Sequence, residues 1–359
     1  MSWNAQQALS LLEELSNAKG PSGFEDETAA VAHRWCAPFA TTRENSLRNV
    51  YITPKANQGQ GLRIMLDAHS DEVGMMVKSI RPNGVLTFVT LGGFTPHSLV
   101  GQKVWVHNAL GEWIQGVVAA KPPHFMSAAE RASGQTGELV IDIGATSDRQ
   151  AQETFHVRIG EPCVPAVKME YDSEHDLAFG KAFDCRIGCA AMMLALRELA
   201  ETGCPLEPVG TLSSQEEVGE RGAVASVRAV KPAVAIVFEG APADDTFTPS
   251  CDIQTALGKG PMLRFMDCDM ISNPRFTRFA LDVAQKHGIP VQTSVREGGG
   301  TNGSVIHLAE DGIPCIVVGI PVRYIHAPCG ISTLADLKAA VDLAVAVSKE
   351  LTEEVVASF

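Results

Sequence analysis

Two adjacent carboxylates, Glu216 and Glu217, stand in the stretch TLSSQEEVGERGA (211–223), between a run of small residues and a glycine-rich exit. If residues 208–213 form a strand, both acids lie just past its C-terminal end, where open α/β sheets place their ligand sites. Consecutive side chains diverge there. One carboxylate can then hold a metal ion while its neighbour faces substrate as a proton-transfer group, the division that metal-assisted hydrolysis requires. An isolated glutamate pair reads more simply as solvated loop residues, so partners elsewhere in the chain decide.

Four such partners follow apolar strand-like runs or stand at a helix entrance: His69, Asp184, Glu239 and His326. Parallel strands bring their C-terminal ends to one crevice, so residues scattered in sequence meet in space. With Glu217 they make two imidazoles and three carboxylates, a mixed nitrogen and oxygen set that suits zinc, with cobalt or manganese compatible by chemistry. Each also has a plainer reading: Asp184 as a helix cap, His326 as a loop residue after a strand, Glu239 as a solvent-facing acid. Residue type and spacing leave both readings open. Asp71 lies two positions after His69, projects to the same side in an extended segment, and there accepts the second ring N–H of the imidazole. Alternation points Glu72 away.

The elements that must position these residues follow from periodicity. Ala5, Leu9, Leu12 and Leu15 predict a helix over 4–18. Ser22 and Glu25 make a capping-box pattern ahead of a second helix. RIMLD (63–67) is a short strand running into AHSDEVG. From Gly74 to about Lys168 the texture changes to alternating strand-like segments with turn signals at Asn83-Gly84 and 108–111. Beyond Asp184 a helix face runs through Cys189, Met192, Met193, Leu196 and Leu199, and Gly203 ends it. Strands at 233–240, around VQTSV and at 315–321, a helix from Pro274 to Gly288, and a final helix from Leu334 to about Val355 complete the pattern. This predicts a mostly parallel sheet covered by helices, residues 1–73 and 169–359, interrupted by an inserted β-rich domain, 74–168.

Composition excludes several classes. An apolar share of 45% with 20% charged residues is that of a globular chain. A net charge of −13 without a basic cluster argues against nucleic acid. Nine cysteines without C-x-x-C pairs do not form a disulfide framework or a zinc-finger set. No basic-then-apolar leader and no run of about eighteen apolar residues is present, so a soluble, cytoplasmic protein without a membrane partner is expected.

Six ordered segments, AHSDEVG, KAFDCRIG, SSQEEVGERGA, VFEGAPADD, GGGTNGSVIHL and VRYIHAP, resemble the signatures of the tetrahedral (TET) and glutamyl aminopeptidase family. The likeness spans nearly the whole chain, including FTPHSLVGQKV and KPPH in the inserted, barrel-like domain. It implies an exopeptidase that removes N-terminal residues from peptides, with two divalent ions per subunit, zinc in the first instance and cobalt or manganese as alternatives. His69 and Glu239 would hold one ion, Glu217 and His326 the other, with Asp184 bridging. Glu216 would be the general base and Asp71 the carboxylate behind His69. Relatives commonly form twelve-subunit tetrahedra built from dimers, the inserted domain contributing to the interfaces. Cys185 departs from the family's usual Asp or Asn, and the peptide bond before it is expected to be cis. Asn302, Ser304 and Ala327 also depart, which bears on substrate positioning. The rival readings are a deacylase of N-acyl amino acids, a glucanase using paired carboxylates without metal, and a non-catalytic assembly protein.

Overall fold

The computed structural model describes residues 3–59, 61–133 and 137–359. They fall into two compact units: Met1–Glu72, Met169–Ile325 and Gly330–Phe359 make the first, Val73–Lys168 and His326–Cys329 the second.

The first unit is built on an eight-stranded sheet. Its strand order is Ala40–Glu44, Val50–Pro54, Glu207–Ser213, Arg63–His69, Val234–Pro242, Cys315–Val322, Met262–Met266 and Gln292–Val295. The four central strands run parallel to one another, and antiparallel pairings occur only toward the flanks. Alternation along the buried strands feeds two cores. Ile64, Leu66, Ile236, Phe238, Ile316 and Val318 face one layer of helices. Met65, Ala235, Val237 and Val317 face the helix Arg221–Val230 on the other side. A sheet covered on both faces in this way reads as near-continuous apolar runs, as these strands do.

Helix Phe183–Thr202 is buried on almost every side, not along one stripe, because it lies between the sheet and the helices Ala5–Asn17 and Leu334–Glu350. The first helix, Ala5–Asn17, is capped by Asn4, whose side chain accepts from the Gln7 N–H. Its buried stripe is Ala8, Leu11, Leu12 and Leu15, rotated from the predicted one, and Ala5 is exposed. The last predicted helix is two. It stops at Glu350, buried Leu351 is extended, and Thr352 caps a short helix Glu353–Ala357. The predicted capping box also fails: helix Asp26–Cys36 starts after Glu25 without a side-chain cap.

The second unit contains a closed six-stranded barrel in the order Gly74–Ile80, Leu86–Leu91, Val140–Asp142, Trp113–Ala119, Lys103–His107 and Pro162–Pro165. All its pairings are antiparallel, and closure removes the exposed edges that an open sheet would present. Val77, Leu86, Val104, Val106, Val118 and Ile141 fill its interior. No described helix in either unit is long and apolar enough to cross a membrane.

Candidate active site

His69 is the last residue of its strand and is buried. Its carbonyl accepts from the Cys189 thiol at 3.0 Å, which ties the strand end to the central helix. The Nε2 edge of the ring faces acids: Asp184 Oδ1 at 3.0 Å, Glu239 Oε1 at 3.2 Å and Glu216 Oε2 at 3.9 Å. The Nδ1 edge lies 3.2 Å from the Asp71 carbonyl oxygen and 3.4 Å from its carboxylate.

Each acid reaches this point by a different local device. Asp184 sits in a kink at the start of the central helix, where Asp184 and Cys185 leave helical geometry and the peptide bond between them is cis, as the resemblance implied. Glu239 lies inside its strand, which runs two residues past the predicted end at 240 to Pro242. Its Oε1 accepts the Gly240 N–H at 3.0 Å. Glu216 and Glu217 occupy the turn after Glu207–Ser213, entered through Gln215 in the left-handed region at φ 55°.

Glycine at 240 lets the strand backbone approach that kink. A Cβ there would come 2.8 Å from Asp184 Cα and 2.9 Å from the Phe183 carbonyl oxygen. Both are backbone atoms, so Gly240→Ala is expected to destabilise the fold by about 1–3 kcal/mol through overpacking and, if Asp184 is a metal ligand, to weaken metal retention by shifting it. Denaturant titration with elemental analysis checks this. Stability and metal content both at wild-type values would show that the backbone yields there.

The electrostatics follow from burying several acids beside one imidazole. Burial, with His69 opposing and Glu239 and Asp184 adding, holds the Glu216 carboxyl well above its ordinary range. Burial and the Asp184 charge do the same to Glu217 and push Glu239 up to about 7. Burial alone would lower the His69 pKa, but the charges of Glu239 and Glu216 raise it well above the usual imidazole value. Buried like charges are unfavourable without a compensating cation. The chemistry of the donor set fits a divalent metal: ligand atoms of His69, Asp184, Cys185 and Glu239 lie within 4.8 Å of one another, as do those of His69, Glu216 and Glu217. Cys185 is the least suited of these, since burial raises its thiol pKa well above the ordinary value and the S–H points to the Phe238 carbonyl oxygen at 3.2 Å. His326 follows strand Cys315–Val322 in a left-handed turn at φ 58°, within the segment His326–Cys329 that belongs to the second unit.

Several supporting contacts escaped the sequence reading. Asp71 uses its carboxylate mainly on backbone, accepting the Glu216 N–H at 2.9 Å and the Glu217 N–H at 3.2 Å, and it accepts the Ser22 hydroxyl at 2.6 Å. Burial opposes ionisation there, yet His69, Ser22 and the Glu216 N–H together hold its pKa below the ordinary carboxylate value. Glu72 does point away, into a buried cation pair: Lys181 Nζ at 2.6 Å and the Arg186 guanidinium at 3.6 Å. Lys181 and Arg186 bracket Asp184 in KAFDCR, which was the available signal. Asn302 is buried and donates to Asp67 at 2.7 Å, and Asp67 also accepts from Ser213 and Thr211. Asn302 is therefore tied through Asp67 to the strand that ends at His69, and Asp67 links that strand to Glu207–Ser213.

The M42 glutamyl aminopeptidase family model matches residues 49–343. The chain is 31% identical over 352 residues to the glutamyl aminopeptidase of Lactococcus lactis, covering 96% of this chain and 97% of the relative. Among solved structures, it superposes with a TM-score of 0.94 and 37% identity on a TET aminopeptidase from a marine sediment archaeon, Thaumarchaeota archaeon SCGC AB-539-E09, with 99% of both chains covered. The TET1 peptidase of Pyrococcus horikoshii, described as assembling into a tetrahedron or a large octahedral shell, gives a TM-score of 0.85 and 27% identity over 96% of this chain and 100% of that one. Of the readings that the residues left open, these findings support the peptidase. A doubly covered α/β sheet, a separate barrel, acids gathered on one imidazole and a family match across most of the length agree: the chain belongs to the M42 glutamyl aminopeptidase family and is a peptidase.

Proposed function

We propose that the chain is a metal-dependent aminopeptidase in which His69, Asp184, Glu217, Glu239 and His326 hold two divalent ions and Glu216 moves the proton. The observation that carries this reading is the graded approach to His69 Nε2. Asp184 and Glu239 stand at 3.0 and 3.2 Å, at the heart of the donor set, while Glu216 stands back at 3.9 Å. A carboxylate at the rim of a metal-ligand cluster is placed to serve water and substrate. Held by these residues, divalent ions would supply a lowered pKa for water and polarisation of a scissile carbonyl. Glu216 accepts the proton of the attacking water and returns it to the departing amine. Asp71 keeps its turn in place by holding the two N–H groups, and the buried His69 ring keeps a fixed orientation for coordination.

Zinc suits the mixed nitrogen and oxygen donors, with cobalt and manganese as alternatives. Likeness to the TET peptidases supports a homo-oligomer, a dodecamer built of dimers, with the barrel unit contributing to assembly. Native mass spectrometry checks that directly. The activity is tested with a panel of aminoacyl anilides beside N-acetylated counterparts, with chelator and with zinc, cobalt or manganese restored. Free-amine substrates should be cleaved, chelator should stop cleavage, and restored metal should recover it. Release of acetate from the N-acetylated set, with the anilide bond left intact, would turn the assignment to a deacylase.

A further inference from the structure

The turn that carries Glu216 and Glu217 presents three successive backbone N–H groups, and two buried carboxylates from outside its own strand and helix take all three. Asp71 holds those of Glu216 and Glu217. The third, from Gln215, goes to Glu25 Oε1 at 3.1 Å. Glu25 lies 190 residues earlier in the chain and is fully buried. Gln215 needs the grip, because its φ of 55° belongs to a region that residues with a Cβ seldom adopt unless their surroundings enforce it.

Glu25 is itself held. Its Oε1 also accepts the Gly23 N–H at 2.8 Å, and its Oε2 is buried without a hydrogen-bond partner among the described residues. The segment carrying it is anchored at several points. Ser22 donates to Asp71, the Gly20 N–H donates to Glu72 at 3.1 Å, and Arg186 donates to the Gly20 carbonyl at 3.1 Å. One short segment, GPSGFE (20–25), thus steadies both carboxylates that grip the turn. Burial first, and the Asp71 charge second, push the Glu25 pKa up to about 7.

We propose that Glu25 is a positioning residue for the reaction: by fixing the Gln215 N–H it sets the direction in which Glu216 leaves the turn. This rests on Glu216 being the proton-transfer group. Without the acceptor, Gln215 relaxes out of the left-handed region and turns the peptide that leads into Glu216. An acid-base displaced by a fraction of an ångström loses rate while substrate still binds.

The test compares Glu25→Asp, Glu25→Ala and Glu25→Gln, purified as metal-loaded enzyme and assayed on an aminoacyl anilide, with Glu216→Gln as reference. Glu25→Asp keeps the carboxyl and most of the volume but withdraws the acceptor, and it remains informative if the alanine variant does not fold. Glu25→Asp and Glu25→Ala should each lose roughly 10–100-fold in kcat, the usual effect of removing a group that orients the reacting residues, with KM and metal content unchanged. Glu25→Gln should recover most of the rate, because its amide oxygen still accepts from Gln215. A purely structural role would lower the melting temperature and leave kcat per folded molecule intact, and that result overturns the proposal. So does a Glu25→Gln variant as slow as Glu25→Asp, since the charge and not the acceptor would then matter. If Glu216→Gln is fully active, the proton-transfer reading itself falls. If Glu216→Gln is inactive and Glu25→Asp keeps wild-type kcat, only the positioning role falls.

Discussion

Replacing Glu216 with glutamine is expected to lower kcat by about 10²–10⁴, the usual contribution of a positioned acid-base, while the enzyme keeps its metal and its KM. Glutamine matches glutamate in shape, and the backbone N–H at 216 stays on Asp71 whatever the side chain. The substitution therefore leaves the turn intact and removes only the proton acceptor. Loss of kcat without a change in KM marks an interaction made in the transition state alone. The neighbouring Glu217 supplies the contrast. If it is a ligand, Glu217→Gln should lose bound metal along with activity, whereas Glu216→Gln should not. Elemental analysis of the two purified variants beside steady-state kinetics settles the division between the two acids. A Glu216→Gln protein that comes out metal-poor would make Glu216 a ligand as well.

How much of this was legible in the sequence depends on what kind of interaction each residue makes. Strands such as Val234–Pro242 and Cys315–Val322 announce themselves because burial on both faces demands unbroken apolar runs. His69, Glu216 and Glu217 stood out because polar residues at the end of such a run are conspicuous, whereas Asp184 was marked only by its place at a helix entrance. Asp71 was only half legible. Its spacing from His69 is visible, but its shortest backbone bond goes to the N–H of Glu216, 145 residues away, and a backbone N–H leaves no mark on residue identity. Ser22 and Glu25 show the same limit from the other side. Their S-x-x-E spacing satisfies a local capping rule, yet long-range contacts with Asp71 and Gln215 outcompete it. The central helix misled in a different way. Its apolar stripe is real, but a helix enclosed by sheet and helices hides the remaining faces too, with small residues such as Ala190 and Ala195 allowing the close approach.

Asp184→Ala is expected to empty both metal positions and reduce cleavage below detection, because in the proposed arrangement this one carboxylate serves both ions. The cost should fall on binding and not on folding. The backbone at 184 is fixed by neighbours that the substitution leaves untouched: the Cys185 thiol on the Phe238 carbonyl, Lys181 on Glu72, and Arg186 on the carbonyls of Leu15, Ala18 and Gly20. Removing the Asp184 charge also relieves repulsion, since that charge helps raise the pKa values of Glu239, Glu217 and Glu216. In chelator, the relieved repulsion offsets the lost contact with His69 at 3.0 Å, so the variant should melt close to the wild-type protein. With metal present, only the wild type should gain stability, by the RT ln(1 + [L]/Kd) that a ligand selective for the folded state confers. At a hundredfold excess over Kd this is about 2.7 kcal/mol per site, ample for thermal melts to resolve. A variant that still carries two ions by elemental analysis, or that keeps the metal-dependent rise in melting temperature, would remove Asp184 from the bridge. The shared-ligand arrangement would then have to be rebuilt around Glu239, Glu217 or Glu216, the other acids gathered with His69.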